Sequence, residues 1–508
     1  MIAPLLDYFR HILIDTPSSG IIAVLLCIFT TCLYLGKSWR KNARLEHTLN
    51  IKDPGNGSTR EENGSGDIKL KPTANGHRFT PSISTHAVVP LNKDGKPVAC
   101  RKIGLQSPSN LADEYDSVYD GPAQKEKNST WRVKSAWAYP VKSCKGVELD
   151  TFKVTGLGVE YDRQFSFAQY QKRPKTHDEG WKFVTQREIP ALTNIETEIW
   201  APDPSSSDYT PDHPNVQSEG VISICWPEEM SNRTVYVPFK PSASQIKEQN
   251  YATVDMNIWN DTPPALILCS TSSLSHLPNG PTPWLSSFVH YLSTTSRLLN
   301  PRQISSSGTL TGPSYDLNKP FALLRSAPAY PRSVFRNAPR KETLGYQPTI
   351  GFQDAYPVQL LGLASVRDVG RKLAPGTPPL SAKNFRSNII VVGGNAYEED
   401  RWKYIRFHEA TEQGNEEGRE NGAEFHVACR TSRCLMPNVD QDTGKKDAVE
   451  PNSTLRSFRK IDAGCKNDAC LGMHMVPAAQ EGRWISVGDE VDVVEVTDEH
   501  LYVGSKQG

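Results

Sequence analysis

The sequence predicts a mixed, β-rich α/β protein in which two barrel-like domains follow an N-terminal transmembrane helix. Three observations predict it. Residues 20–36 are apolar and carry no charge. From Trp131 to Phe239 the chain breaks into short alternating apolar segments between Gly, Pro and Asn/Asp turn signals, the pattern of a small β domain. A second such series opens at Gly351 and closes near Val494.

The elements follow in chain order. Residues 1–42 form the anchor, with Gly20 to Gly36 as the span, slightly short of the about 20 residues that match a bilayer core. Lys37, Arg40, Lys41 and Arg44 follow it, whereas Asp7, Arg10 and Asp15 precede it, so the positive-inside rule places the remainder in the cytosol. A cleaved signal peptide would need a basic start and a small-x-small exit, and Leu33 to Lys37 offer neither. Residues 43–129 are rich in Gly, Ser, Asn, Pro and charge, and read as a flexible linker.

The first barrel-like domain spans 130–270. Trp131 to Trp137 alternate as a strand, and Tyr139-Pro-Val-Lys-Ser-Cys-Lys-Gly then turns, placing Lys142, Ser143 and Lys145 beside a glycine as an anion cradle. Phe152 to Val154, Tyr161 to Ala168, Phe183 to Leu192, Ile195 to Trp200, Val221 to Trp226 and Thr234 to Phe239 continue the strands. Arg163 stands among aromatics, where an arginine needs a partner. A connecting segment, 271–350, carries polar insertions and one helix, Trp284 to Leu298.

The second domain spans 351–500. Ala364-Ser365 caps a short helix through Val369, and Arg386 leads straight into a buried strand, Ile389 to Val392. Strands over 398–407 and 424–429 flank an acidic insertion at 409–421. Trp484 to Val494 reads as a closing hairpin about a Gly-Asp turn.

Composition narrows the function classes. Lys plus Arg equals Asp plus Glu at 57 each, so no basic excess points to nucleic acid. Ten cysteines are scattered without a disulfide framework or a C-x-x-C pair, which fits a reducing compartment. Cys465 and Cys470 form a lone C-x4-C that reads as incidental. No flavin, haem or dinucleotide fingerprint appears.

One loop carries chemistry-bearing residues. Cys434 follows Ser432 and Arg433 and precedes a turn-rich run to Gly444. A thiolate takes soft or high-valent transition metals, and Arg and Ser donate to phosphate or pterin oxygens. A lone loop cysteine is more often a small buried hydrophobe, so these residues alone leave both roles open. Cys429 and Cys144 read as core residues.

In order, these pieces resemble the MOSC family, whose members place an N-terminal β-barrel domain before the MOSC β-barrel domain. The motifs are Tyr139-Pro-Val-Lys-Ser-Cys-Lys-Gly, Tyr161-Asp-Arg, Phe183-Val-Thr-Gln-Arg-Glu, Phe352-Gln-Asp, Asn384-Phe-Arg-Ser-Asn-Ile, Ser432-Arg-Cys, Val439-Asp-Gln-Asp-Thr-Gly and Val487-Gly-Asp. Within the family the chain is most similar to the mitochondrial amidoxime-reducing components. The resemblance implies the molybdenum cofactor (Mo-molybdopterin), with Cys434 as the metal's thiolate ligand and catalytic residue. Lys142, Ser143, Arg163, Asp354, Arg386, Ser432 and Arg433 match positions that bind the cofactor. It further implies reduction of N-hydroxylated compounds such as amidoximes and hydroxylamines by removal of oxygen. The electrons would come from cytochrome b5 and NADH-cytochrome b5 reductase, at the mitochondrial outer membrane.

An alternative of another class is a cofactor carrier without turnover; the lack of a pyridoxal-phosphate-dependent domain argues against a cofactor sulfurase. Departures from the family lie beside the site. The spacing from Cys429 to Ser432-Arg-Cys is longer, and Ala355 and Tyr356 replace small hydroxyl residues.

Overall fold

Where the apolar run Ile389–Val392 is inserted decides the main architecture. Its β-branched residues pair in parallel with Val358–Gly362 on one side and antiparallel with Trp131–Ala138 on the other. A strand with neighbours on both edges and side chains buried on both faces suits an unbroken apolar segment. The computed structural model describes residues 89–502, apart from 106–107, 122–129, 173–178, 228–231, 411–421 and parts of 273–318. These residues fall in one compact unit, Thr80–Gly508.

The largest sheet is eight-stranded. It runs from Ile389–Val392 through Val358–Gly362, Ala469–Pro477, Ala423–Arg433, Trp402–His408, Glu490–Val496 and Trp131–Ala138 to Val147–Leu149, and the extra pairing of Ile389–Val392 with Trp131–Ala138 closes it on itself. A second, closed barrel joins Ala252–Asn257, Pro264–Ser270, Phe321–Ser326, Phe165–Lys172 and Glu179–Phe183. Beside it, a four-stranded sheet is made of Cys100–Ile103, Glu196–Pro202, Val221–Pro227 and Asn232–Pro238. Helix Pro283–Leu299 buries Leu285, Phe288 and Leu292 at helical spacing, and Phe288 stacks on Phe167 with ring centroids 4.6 Å apart. That helix is the one read from the sequence.

The strand Trp131–Ala138, which opens the N-terminal domain of the sequence reading, is hydrogen-bonded into the larger ring. Several expectations are corrected. Phe321–Ser326, placed by the sequence in a connecting segment, closes the smaller barrel. Arg483–Ser486 and Glu490–Val496 do not pair with each other. The first joins Thr151–Thr155 and the second joins Trp402–His408, so they are no hairpin. Local turn chemistry cannot reveal which distant strand offers a free edge.

The helix Leu363–Arg371 has Gly362 at its N-cap, and no side chain caps it. Ser365 instead donates to buried Glu399 at 2.7 Å. Arg386 does not run straight into a strand either: it ends the 3-10 turn Ala382–Phe385 in a left-handed conformation, φ 52°. The linker expectation fails for residues 89–121. Cys100–Ile103 pairs with Glu196–Pro202, Leu111 packs with Val366, Leu380 and Phe385, and buried Glu114 accepts from Ser381 Oγ (2.7 Å) and Ala382 N (2.8 Å). Its polar composition hid a few well-placed contacts. The apolar stretch 20–36 lies outside the described residues, and among those described no helix is long and apolar enough to cross a membrane.

Candidate functional site

The turn after Trp131–Ala138 is fixed by buried Asp162. Its carboxylate accepts from Tyr139 N at 2.9 Å and from Arg163 Nη1 at 2.7 Å, while Arg163 N donates to Tyr139 O at 2.8 Å. The Tyr139 ring is in contact with two guanidinium groups. Arg163 lies 4.6 Å from its centroid and Arg386 4.2 Å. Cation–π contact of this kind, away from water, holds two like charges close together. Close packing demands Gly146, because a Cβ there would sit 2.6 Å from Tyr139 Cε1.

Arg163 and Arg386 open onto a cleft of ≈ 350 Å³. Its wall also includes Asp354, Ser432, Arg433 and Cys434, together with Asn388, Thr431 and His474. A wider hollow of ≈ 600 Å³ adjoins it, and Asp354, Ala355, Tyr356 and Arg332 line both. Arg163 and Arg386 have positive φ values of 49° and 52°, as do Ser143 (70°) and Tyr161 (67°). Non-glycine residues held there cost energy and gather where a backbone must present side chains in one direction.

The two arginines differ in what they have left to offer. Arg163 Nη2 donates to Arg386 O at 2.7 Å, and Asp162 raises its pKa against the opposing effect of burial. Arg386 Nη1 donates to Gln441 Oε1 at 2.9 Å, but Nη2 is buried without a hydrogen-bond partner. Burial lowers its pKa to about 10, so it remains charged at neutral pH with one donor uncommitted. An unsatisfied buried donor is costly and signals a missing acceptor.

Cys434 stands at the end of the strand Ala423–Arg433, where the chain leaves the sheet for the turn Met436–Asn438. It is exposed, and Met436 N points at its sulfur from 3.4 Å. Cys429, five positions earlier, is fully buried in an apolar cluster with Val334, Ile350 and Val476, and burial pushes its thiol to about 12. Of these two cysteines, Cys434 lines the cleft and Cys429 does not. Arg433 is buried, with Nε on Leu471 O (2.8 Å) and Nη1 on Phe385 O (3.2 Å), so it clamps the strand ends together.

Lys142 and Ser143 do not line the cleft. Lys142 is buried and donates to Phe352 O at 2.8 Å and to the carboxylate of Asp354. Desolvation lowers the Lys142 pKa, and Asp354 counters it. Burial also opposes ionisation of Asp354, yet its side chain is 46% exposed, and Lys142 holds it well below the usual carboxylate range. Trp259 Nε1 donates to the same oxygen at 3.1 Å.

Sequence reasoning missed His474, which faces the cleft from the strand Ala469–Pro477. It stacks on Tyr356 at 4.7 Å, and its Nδ1 has no partner. Burial first, then Arg433, lowers its pKa to about 3, which keeps the imidazole neutral. The one available signal was a polar residue interrupting Leu-Gly-Met-His-Met-Val. Trp259, Arg187 and Arg332 also line the cleft; Arg187 belongs to the motif Phe183-Val-Thr-Gln-Arg-Glu, whereas Trp259 and Arg332 have no motif that could have marked them.

The chain matches the family model of the MOSC domain over residues 347–492 and that of the MOSC N-terminal beta barrel domain over 130–220. It is similar to the molybdenum cofactor sulfurase of Oryza sativa subsp. japonica, 22% identical over 74% of this chain and 37% of that one. It is also similar to the mitochondrial amidoxime reducing component 2 of Bos taurus, 35% identical over 23% of this chain and 30% of that one. The component 1 protein of Mus musculus is 32% identical over 22% and 28%. The matched stretches thus span well under two thirds of these relatives.

Proposed function

For a chain that carries an MOSC domain behind an MOSC N-terminal beta barrel domain, we propose that the cleft between Arg386 and Cys434 binds the molybdenum cofactor. We further propose that the protein reduces N-hydroxylated small molecules there. The observation that carries this reading is that buried Arg386, whose Nη2 has no hydrogen-bond partner, lines the same cleft as exposed Cys434. One offers a fixed, planar donor to a phosphate or pterin oxygen, the other a soft ligand to a metal. The donor set fits the cofactor at both of its chemically distinct ends.

In this reading Cys434 ligates the molybdenum, and Arg386 with Arg163 binds the anionic end. Ser432 and neutral His474 donate to pterin atoms, whereas Asp354, Lys142 and Arg433 hold the wall in shape. The bound cofactor supplies the two-electron redox chemistry by which oxygen is removed from nitrogen. The adjoining hollow lined by Tyr356 and Arg332 admits a small substrate. Electrons come from cytochrome b5 and its NADH-dependent reductase. The apolar stretch 20–36 anchors the chain in the mitochondrial outer membrane with the catalytic part in the cytosol; this rests on the sequence and on the resemblance.

A second reading, a carrier that binds the cofactor without turnover, is supported by the longer of the matches, to the rice cofactor sulfurase. One experiment separates the two. The full chain is purified, bound molybdenum and pterin are measured, and benzamidoxime reduction is assayed with cytochrome b5, its reductase and NADH. Turnover supports the reductase, and cofactor without turnover the carrier. Full activity and molybdenum content in Cys434→Ala would remove the proposed ligand. Fractionation with the endoplasmic reticulum would contradict the proposed membrane.

A further inference from the structure

Across the strand pairing from Ser432, at Cys470, lies a second group of soft ligands that the proposed cofactor site does not use. Cys465 Sγ is 3.5 Å from Cys470 Sγ, and with a carboxylate oxygen of Asp462 these ligand atoms all lie within 4.8 Å of one another. Thiolates held tetrahedrally around zinc at about 2.3 Å stand about 3.8 Å apart, so the spacing is already that of a metal chelate. The sulfurs are farther apart than a disulfide bond permits.

The backbone fixes this arrangement without help from a ligand. Asp462 caps the short turn Ala463–Cys465, with Oδ1 accepting from Gly464 N and Tyr502 N, both at 2.9 Å. Cys470 N donates to Arg459 O at 3.0 Å, and Arg459 Nε returns a bond to Cys470 O at 2.9 Å. Cys470 lies opposite Ser432 in the pairing of Ala423–Arg433 with Ala469–Pro477. Both ends of the loop are therefore locked before any metal arrives.

What points to a ligand is Asp462 Oδ2. The Asp462 side chain is wholly buried, and this oxygen accepts no hydrogen bond. Its nearest cation is Arg430 Nη1 at 3.7 Å, a group already donating to His500 O at 3.0 Å. A buried carboxylate oxygen with this one long ion pair and no hydrogen bond has room for a closer positive partner.

We propose that Asp462, Cys465 and Cys470 form a binding site for a soft divalent cation of the zinc class, with the fourth position open to water. The two sulfurs and a carboxylate oxygen of Asp462 supply the donor set such ions select. Arg430 offsets the negative charge left when two thiolates and a carboxylate surround a dication. The metal ties the turn that holds Asp462 and Cys465 onto Cys470 of the strand Ala469–Pro477, the neighbour of the strand that ends in Ser432 and Arg433. The site stands independently of whether the neighbouring cleft holds a cofactor.

Cobalt(II) titrated into the full-length chain under reductant reads this directly through its thiolate charge-transfer absorption. The expected result is about one cobalt per chain, displaced by zinc, with the absorption lost in Cys465→Ser and in Cys470→Ser. It persists in Cys434→Ala, which separates this site from the cleft. Asp462→Asn keeps the sulfurs and is expected to weaken cobalt binding roughly tenfold or more, a readout that holds if a serine variant does not fold. Absence of the charge-transfer band in the reduced wild-type chain, or a band that survives Cys465→Ser, overturns the proposal. So does a native Cys465–Cys470 disulfide in a chain that takes no cobalt after reduction.

Discussion

The ammonium group of Lys142 is bonded to the carboxylate of Asp354, although 212 residues separate them in the chain. The resemblance assigns each to the cofactor. The structure instead joins them to each other, leaving Lys142 7% and Asp354 46% exposed in their side chains. The pair is a strut between the turn after Trp131–Ala138 and the turn before Val358–Gly362.

Replacing Asp354 by Asn leaves the Lys142 charge buried without its partner. The expected loss is about 1–2 kcal/mol at neutral pH, less than for a fully buried pair because solvent screens the exposed carboxylate. The folded pKa of Asp354 lies below its unfolded value. The stabilisation is therefore complete above about pH 4 and drains away as pH falls through the depressed folded value. Denaturant melts should show wild type and Asp354→Asn converging on acidification; a gap that stays constant from neutral to acid pH would refute the assignment.

Glu399 makes the opposite prediction. It is fully buried, accepts from Gly362 N at 3.2 Å and Ser365 Oγ at 2.7 Å, and burial, then Asp400, raises its pKa to about 7. A raised folded value means stability is greatest below about pH 4 and falls as pH climbs to about 7. The change is on the order of 2–3 kcal/mol. Glu399→Gln should flatten that slope and be the more stable protein at mildly alkaline pH. Equal slopes for the two proteins in urea melts would show that Glu399 is ionised throughout.

Arg386→Ala removes the uncommitted donor and the guanidinium 4.2 Å from the centroid of the Tyr139 ring. Stability should fall by about 1–2 kcal/mol, and retained molybdenum by roughly tenfold or more. Arg386→Lys keeps the charge without the planar fork and is expected to recover only part of the cofactor. Molybdenum per chain, measured beside a thermal melt, distinguishes lost binding from lost folding.

A chain shortened to begin at residue 130 loses Cys100–Ile103 from its sheet, Leu111 from its cluster, and Glu114 from the turn that ends at Arg386. It also loses the ion pairs of Asp113 with Lys134 (2.9 Å) and Asp120 with Arg367 (2.9 Å). Its Tm should lie roughly 5 °C or more below that of a chain beginning at residue 80. Glu114→Ala alone should cost about 1–3 kcal/mol. Identical melting of the two lengths would mean that residues 89–121 only rest on the surface.

The sequence by itself determined the β-rich class, the helix at Pro283–Leu299 and the MOSC resemblance. Each is written in residues close together: alternation, helical spacing, a motif. But it read Ser432 and Arg433 as loop where they end the strand Ala423–Arg433. Strand pattern, a local signal, marked Cys429 as core, and the resemblance marked Cys434 as the candidate ligand. Tertiary structure alone decided which strands close which barrel, since any exposed edge can pair with another and the choice depends on packing across the whole chain.

It alone turned Lys142 inward to Asp354, placed neutral His474 in the cleft, and brought Asp162 under the two arginines. It also brought Cys465 and Cys470, read from sequence as incidental, together with buried Asp462, which the sequence had not marked. A charge or a thiol in a sequence has no fixed partner. Burial removes water as the alternative, and only then do the groups that folding has brought within a few ångströms decide what each one does.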